Sequence, residues 1–126
     1  MGRKLMIVKT KGGVTAPHIP DSVEISPRDA AYLINVDGNT KILDVRSRGE
    51  YAVAHIQGAL LLDGVGAVHE IMGWPKGTPI VVYSHHGQRS LKTVRYFLEE
   101  GFVNMKSLAG GIDAWSTQVD PSVPRY

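Results

Sequence analysis

With 126 residues, the chain can bury one hydrophobic core and is too short for two ordinary domains. Its 43% apolar and 21% charged residues exclude a disordered or fibrous polymer, and fourteen basic against twelve acidic residues, with no Lys/Arg run interleaved with aromatics, point to no nucleic-acid partner. Zero cysteines exclude a disulfide framework and a thiolate metal site, and they fit a reducing, cytoplasmic compartment.

Residues 1–22 divide into a short β-prone piece, LMIVK, and a linker whose Gly12-Gly13 pair and two prolines forbid a regular element. The apolar part of the opening MGRKLMIVK runs only from Leu5 to Val8, too short for a signal-peptide core or a membrane span, so no membrane partner is expected. The domain proper is expected over 23–118, with 119–126 as a C-terminal tail. Ser26-Pro27 opens a first helix as N-cap and first-turn proline, Ala30, Leu33 and Ile34 share one of its faces, and Asp37-Gly38-Asn39 stops it. KILDV (41–45) reads as a short buried strand and SRGEYAVAH as a helical turn behind it.

After Gly58 the run ALLL is a further strand candidate, and Val65 to Met72 has weak helical spacing. Pro75-Lys76-Gly77 is a turn. PIVVY (79–83) is the strongest strand of the chain, because its β-branched residues run uninterrupted. QRSLKTVRYFLEEGF then predicts a helix with Leu91, Val94 and Leu98 on one face, ended by Glu99-Glu100 and a left-handed cap at Gly101. VNMKSLA is the last strand, followed by Gly110-Gly111 and a short helix, IDAWSTQ. Apolar strands alternating with helices describe an α/β fold, a parallel sheet covered on both faces. Ligands of such folds bind at the carboxyl ends of the strands, where the loop 84–89 is expected to lie.

That loop belongs to the stretch VVYSHHGQRS. A chain passing from strand to helix over six residues with one glycine turns its backbone N–H groups inward, and such a nest, backed by the helix's unpaired donors, binds anions. Arg89 at the helix start adds a guanidinium to the same space. Residue 84 stands over the floor, where a nucleophile attacks a bound group while the donors hold the charge that develops. Cysteine suits that place, because positive potential lowers a thiol's pKa. The residue is Ser84, whose hydroxyl stays protonated without an adjacent base. The plainer alternative is an ordinary strand-to-helix turn with Ser84 as loop residue or cap. His85 and His86 are adjacent turn residues expected to point apart rather than converge on a metal, so no metal and no cofactor is expected.

LDVRSRGEYAVAHIQGA (43–59), PIVVYSHHGQRSLKTVRYFLEEGF (79–102) and LAGGIDAW (108–115) resemble, in order and spacing, three motifs of the rhodanese family, and VEISPRDAAYLI resembles its opening strand and helix. The resemblance covers about residues 23 to 118. It implies a single domain with a five-stranded parallel sheet and helices on both faces. It also implies transfer of sulfane sulfur from a small anionic donor, thiosulfate or a persulfide, to a thiophilic acceptor, which can be a protein. The family carries the sulfur on a cysteine at the first loop position, which here is Ser84. A persulfide needs a soft thiolate, and an oxygen nucleophile would have to form a far weaker S–O bond. The chain is therefore expected to bind the anion without carrying sulfur. Two histories fit: a Cys-to-Ser change in an otherwise active loop, or a member without the chemistry.

On this reading Ser84 and Arg89 hold the catalytic positions, and His85, His86, Gly87, Gln88, Ser90 and Arg46 bind substrate. Asp44 is expected in a structural ion pair and His55 as a buried residue fixing its loop. Gly110 and Gly111 would allow close backbone approach, Trp115 would pack in the core, Trp74 is a candidate pocket wall, and His18 and His69 would lie on the surface. Alternatives from other classes are a non-catalytic module that binds an anion or a protein, and a phosphatase or arsenate reductase. The latter branch has a loop one residue longer between its cysteine and arginine, whereas four residues separate Ser84 from Arg89.

Overall fold

Four consecutive buried residues, Ile80–Tyr83, form the central strand of the sheet. The computed structural model describes residues 23–126, so the strand expected at LMIVK, the linker after it and His18 lie outside the described residues. The elements in chain order are β1 (Glu24–Ile25), α1 (Pro27–Val36), β2 (Lys41–Asp44), α2 (Arg48–Val53), β3 (Leu60–Leu61), α3 (Gly64–Met72), β4 (Ile80–Tyr83), α4 (Gln88–Glu99), β5 (Met105–Leu108) and α5 (Gly111–Gln118). The five strands pair in the order β1-β5-β4-β2-β3, every pair parallel.

Alternation along β4 builds two cores at once, because successive side chains leave a strand on opposite faces. Val81 and Tyr83 join Ile25, Ile42 and Leu108 on one face, covered by Ala30 and Leu33 of α1 and by Ile112 and Trp115 of α5. Ile80 and Val82 join Leu43 and Met105 on the other, covered by Ile71 of α3 and by Val94 and Phe97 of α4. Each such aliphatic side chain contributes roughly 1.5–3 kcal/mol by leaving water. The buried centre of α4 is Ser90, Val94 and Phe97, with Leu91 and Leu98 at its margins. The ALLL run yields only two strand residues, at the sheet edge.

The N-termini of four helices are built in two ways. Ser26 caps α1, its Oγ accepting from Asp29 N–H at 3.1 Å. Ser47 and Glu50 form a reciprocal capping box at the start of α2, with bonds of 3.2 and 3.0 Å. Helices α4 and α5 start instead from left-handed glycines, Gly87 and Gly110, with no side-chain cap of their own. Their free donors are thus available to the loop between β4 and α4.

Candidate active site

Ser84 follows β4 directly and is buried, at 1% exposure. Its Oγ accepts from Gly87 N–H at 3.1 Å and from Ser90 N–H at 3.2 Å. The same hydroxyl donates to Ser90 Oγ at 3.2 Å, and Ser90 Oγ in turn lies 2.7 Å from Ser107 Oγ on β5. Three buried serines therefore run as one hydroxyl chain from the loop floor to the neighbouring strand.

The outer side of the loop is clamped by α5. Ser84 C=O accepts from Ile112 N–H at 2.9 Å and His85 C=O from Asp113 N–H at 3.2 Å. The approach is possible because residue 111 is glycine: a Cβ there would fall on the carbonyl oxygens of Ser84 and His85. Gly87 is held to glycine chiefly by its φ of 101°, and a Cβ there would also come to 3.2 Å from Leu108 C=O and Gly110 N. The close backbone approach expected at Gly110-Gly111 is present.

Arg89 is placed at the first turn of α4, as the sequence indicates, but its guanidinium is partnered. It makes a bidentate pair with Glu50 of α2, at 2.8 and 3.1 Å. That bond, foremost, holds the Glu50 carboxyl well below its ordinary range. Arg46 is buried with Asp44, donating to it from Nε at 2.9 Å and Nη2 at 2.6 Å, and also to Ala54 C=O and the Tyr126 hydroxyl. Burial opposes the Arg46 charge, yet the bonds to Asp44 and Tyr126 outweigh it and raise the pKa. Burial is also the main reason that the adjoining Tyr83 phenol is pushed up and stays protonated. Its oxygen accepts from Ile56 N–H at 3.0 Å.

The C-terminal segment, read from sequence only as a tail, folds back over the loop. Val123 is buried, and Ser116 Oγ donates to its carbonyl at 2.6 Å. Tyr126 stacks on His85 with ring centroids 4.0 Å apart, accepts from Arg46 at 2.7 Å and donates to Glu50 at 2.9 Å. Arg46, Tyr126, Glu50 and Arg89 thus form one polar chain along the rim.

His85 and His86 correct an expectation. They do not point apart: their rings stack at 4.0 Å, 23° from parallel. Desolvation by burial, then the neighbouring His86, lowers the His85 pKa. His55 is also corrected, being exposed rather than buried, although it does fix its loop by donating from Nδ1–H to Tyr51 C=O (2.8 Å) and stacking on the Tyr51 ring. Trp115 is in the core. Trp74 lies at the opposite end of the sheet, lining a cleft of about 490 Å³ with Asp37 and Lys41. His69 is exposed on α3 and Gln88 on α4. Glu50, Ser107 and Tyr126 were not singled out from sequence. The Ser-x-x-Glu spacing of Ser47 and Glu50 is a readable cap signal, whereas nothing local marks Ser107 or Tyr126.

The rhodanese-like domain family matches residues 26–118, from the cap of α1 to the end of α5. The chain belongs to the rhodanese-like family. Thiosulfate sulfurtransferase GlpE of Pseudomonas paraeruginosa is 32% identical over 91 residues, covering 72% of this chain and 81% of the relative. The protein of that name from Actinobacillus pleuropneumoniae serotype 5b is 34% identical over 105 residues, covering 82% and 94%. Among solved structures, a rhodanese-like domain protein from Staphylococcus aureus superposes with a TM-score of 0.67 at 22% identity, covering 83% of this chain and 99% of that one. A human single-domain sulfurtransferase gives 0.65 at 22% identity, covering 77% and 97%. These neighbours bear out the single-domain α/β fold with its five-stranded parallel sheet, and the relatives bear out the sulfurtransferase family. Among the described residues no helix is long and apolar enough to cross a membrane.

Proposed function

We propose that this chain is a rhodanese-like sulfurtransferase scaffold that seats a small sulfur-donor anion of the thiosulfate class at the loop 84–90 and, with Ser84, carries no sulfur. The observation that carries the reading is the surroundings of Ser84 Oγ: a buried atom at a strand end, facing two backbone N–H donors at 3.1 and 3.2 Å. Those donors favour negative charge on the atom they face. A thiol there would ionise. A hydroxyl would not, because its third partner, Ser90 Oγ, is another hydroxyl and no base. The partnered Arg46 supports a structural part for that residue, and the half-exposed Arg89, at the first turn of α4, is the cation offered to an incoming anion.

The test restores the nucleophile. In Ser84→Cys the thiolate attacks the sulfane sulfur of thiosulfate, the S–S bond of thiosulfate breaks and sulfite leaves with the electron pair. Cyanide then attacks the outer sulfur of the persulfide, releasing thiocyanate and regenerating the thiolate. The expected result is one added sulfur atom by intact mass and cyanide-dependent thiocyanate from the variant, and neither from the parent chain. A folded variant that gains no sulfur would sink the reading and leave a module that recognises a protein or anion without chemistry.

A further inference from the structure

The outer side of the same loop holds a second group of chemically active side chains. His85, His86 and Asp113 each offer one ligand atom, and these atoms all lie within 4.8 Å of one another. We propose that His85, His86 and Asp113 form a binding site for a divalent ion of the zinc class, with two imidazoles, one carboxylate and an open fourth position.

The ligands come from two elements that the backbone locks together. His85 C=O accepts from Asp113 N–H at 3.2 Å, so the α5 carboxylate and the loop imidazoles share a fixed frame. Imidazole and carboxylate together suit a borderline divalent ion, and a tetrahedral ion with bonds of about 2.1 Å wants its ligand atoms about 3.4 Å apart. Closing the present spread to that value requires side-chain rotation, chiefly of His86 out of its stack on His85. His86 is exposed and free to swing from its stack, while Tyr126 holds the other face of His85 at a centroid distance of 4.0 Å.

One group competes for the site. Arg125 donates to both Asp113 carboxylate oxygens, at 2.8 and 3.2 Å, and its side chain is 59% exposed. A surface pair of this kind is weak, so an ion carrying two charges displaces it. The site therefore has a built-in prediction that a merely structural cluster would not share: removing Arg125 improves it. The inference concerns the outer side of the loop and stands independently of the sulfur chemistry.

The experiment is a titration of the untagged 126-residue chain with zinc chloride in a non-chelating buffer at neutral pH, with Co²⁺ as a spectroscopic probe of the coordination sphere. The parent should bind one ion with Kd on the order of 10 µM, about −7 kcal/mol. His86→Ala and Asp113→Asn should each weaken binding at least tenfold and remove the Co²⁺ visible bands. Arg125→Ala should tighten it several-fold, and His69→Ala should change nothing. The gain in Arg125→Ala cannot arise from misfolding. Absence of saturable binding by the parent, or parent-like affinity in His86→Ala, Asp113→Asn or Arg125→Ala, would overturn the site.

Discussion

Strands β2 and β4 lie side by side and end together, with Asp44 opposite Tyr83, yet the two ends handle charge in opposite ways. At the end of β2, Arg46 and Asp44 are shut away with no side-chain exposure, and the guanidinium is answered by carboxylate, carbonyl and phenol. Beyond β4, neutral N–H groups converge on one hydroxyl. A buried charge whose partners are all protein groups belongs to the fold. Donors that meet at a single side-chain atom instead set the charge which that atom can carry. The contrast explains how a conspicuous arginine at the strand ends can be a structural residue, while a modest glycine turn beside it is the proposed site.

The largest effect should come from breaking the β2 end. Arg46→Ala leaves the Asp44 charge buried and unpaired, and should cost about 3–5 kcal/mol in urea unfolding. Arg89→Ala cuts a half-exposed pair and should cost under about 1 kcal/mol, yet weaken thiosulfate binding more than any folded Arg46 variant does. Equal losses of stability, or the reverse order in anion titration, would erase the distinction between the two ends.

At the β4 end the expected effect is intermediate. Ser84→Ala removes the acceptor of two N–H groups that face a buried atom, and should cost about 2 kcal/mol. Ser84→Cys keeps an acceptor in place and should cost less. Thermal unfolding of the pair of variants measures the difference, and a fully stable alanine variant would mean that the donors find other partners.

The smallest effect joins the two ends through Glu50. Its carboxyl is depressed, first by the Arg89 bond and also by bonds to Ser47 and Tyr126. A depressed acid stabilises the folded state above its unfolded pKa, near 4.5, and that contribution is lost as pH falls below it. The parent should therefore lose more melting temperature than Glu50→Gln between pH 7 and pH 3. The difference should correspond to no more than about 1 kcal/mol, because the pair is open to solvent. Parallel pH profiles would show that the rim network adds nothing to stability.

The contrast between local and distant contacts also governs what could be read from sequence. The Ser26-Pro27 cap, the β-branched run before Ser84 and the glycine at 101 each act within a few residues, and the corresponding elements stand where their patterns put them. Strand β3 shrinks to two residues because ALLL sits at a sheet edge with one pairing partner, a fact of topology rather than of propensity. The loop was legible through its strand, glycine and arginine. The direction of the Arg89 guanidinium was not, since it depends on Glu50, 39 residues earlier. Tyr126 reaches Arg46 across 80 positions and Glu50 across 76, and no periodicity carries such a contact. The two histidines were misjudged because turn geometry alone separates them, whereas Tyr126 provides a third ring that aligns the stack.

The clamp at Gly111 has a consequence for the polarity of the loop. In a trans peptide the C=O and the following N–H point to opposite sides of the chain. Docking the Ser84 and His85 carbonyls outward onto Ile112 and Asp113 turns the N–H groups of His85 and His86 to the inner side. The direction of the loop's N–H groups is therefore set in part from outside, by a helix docked on its carbonyls, and a side chain at position 111 would collide with those carbonyls and disturb that direction without any change of residue between 84 and 90.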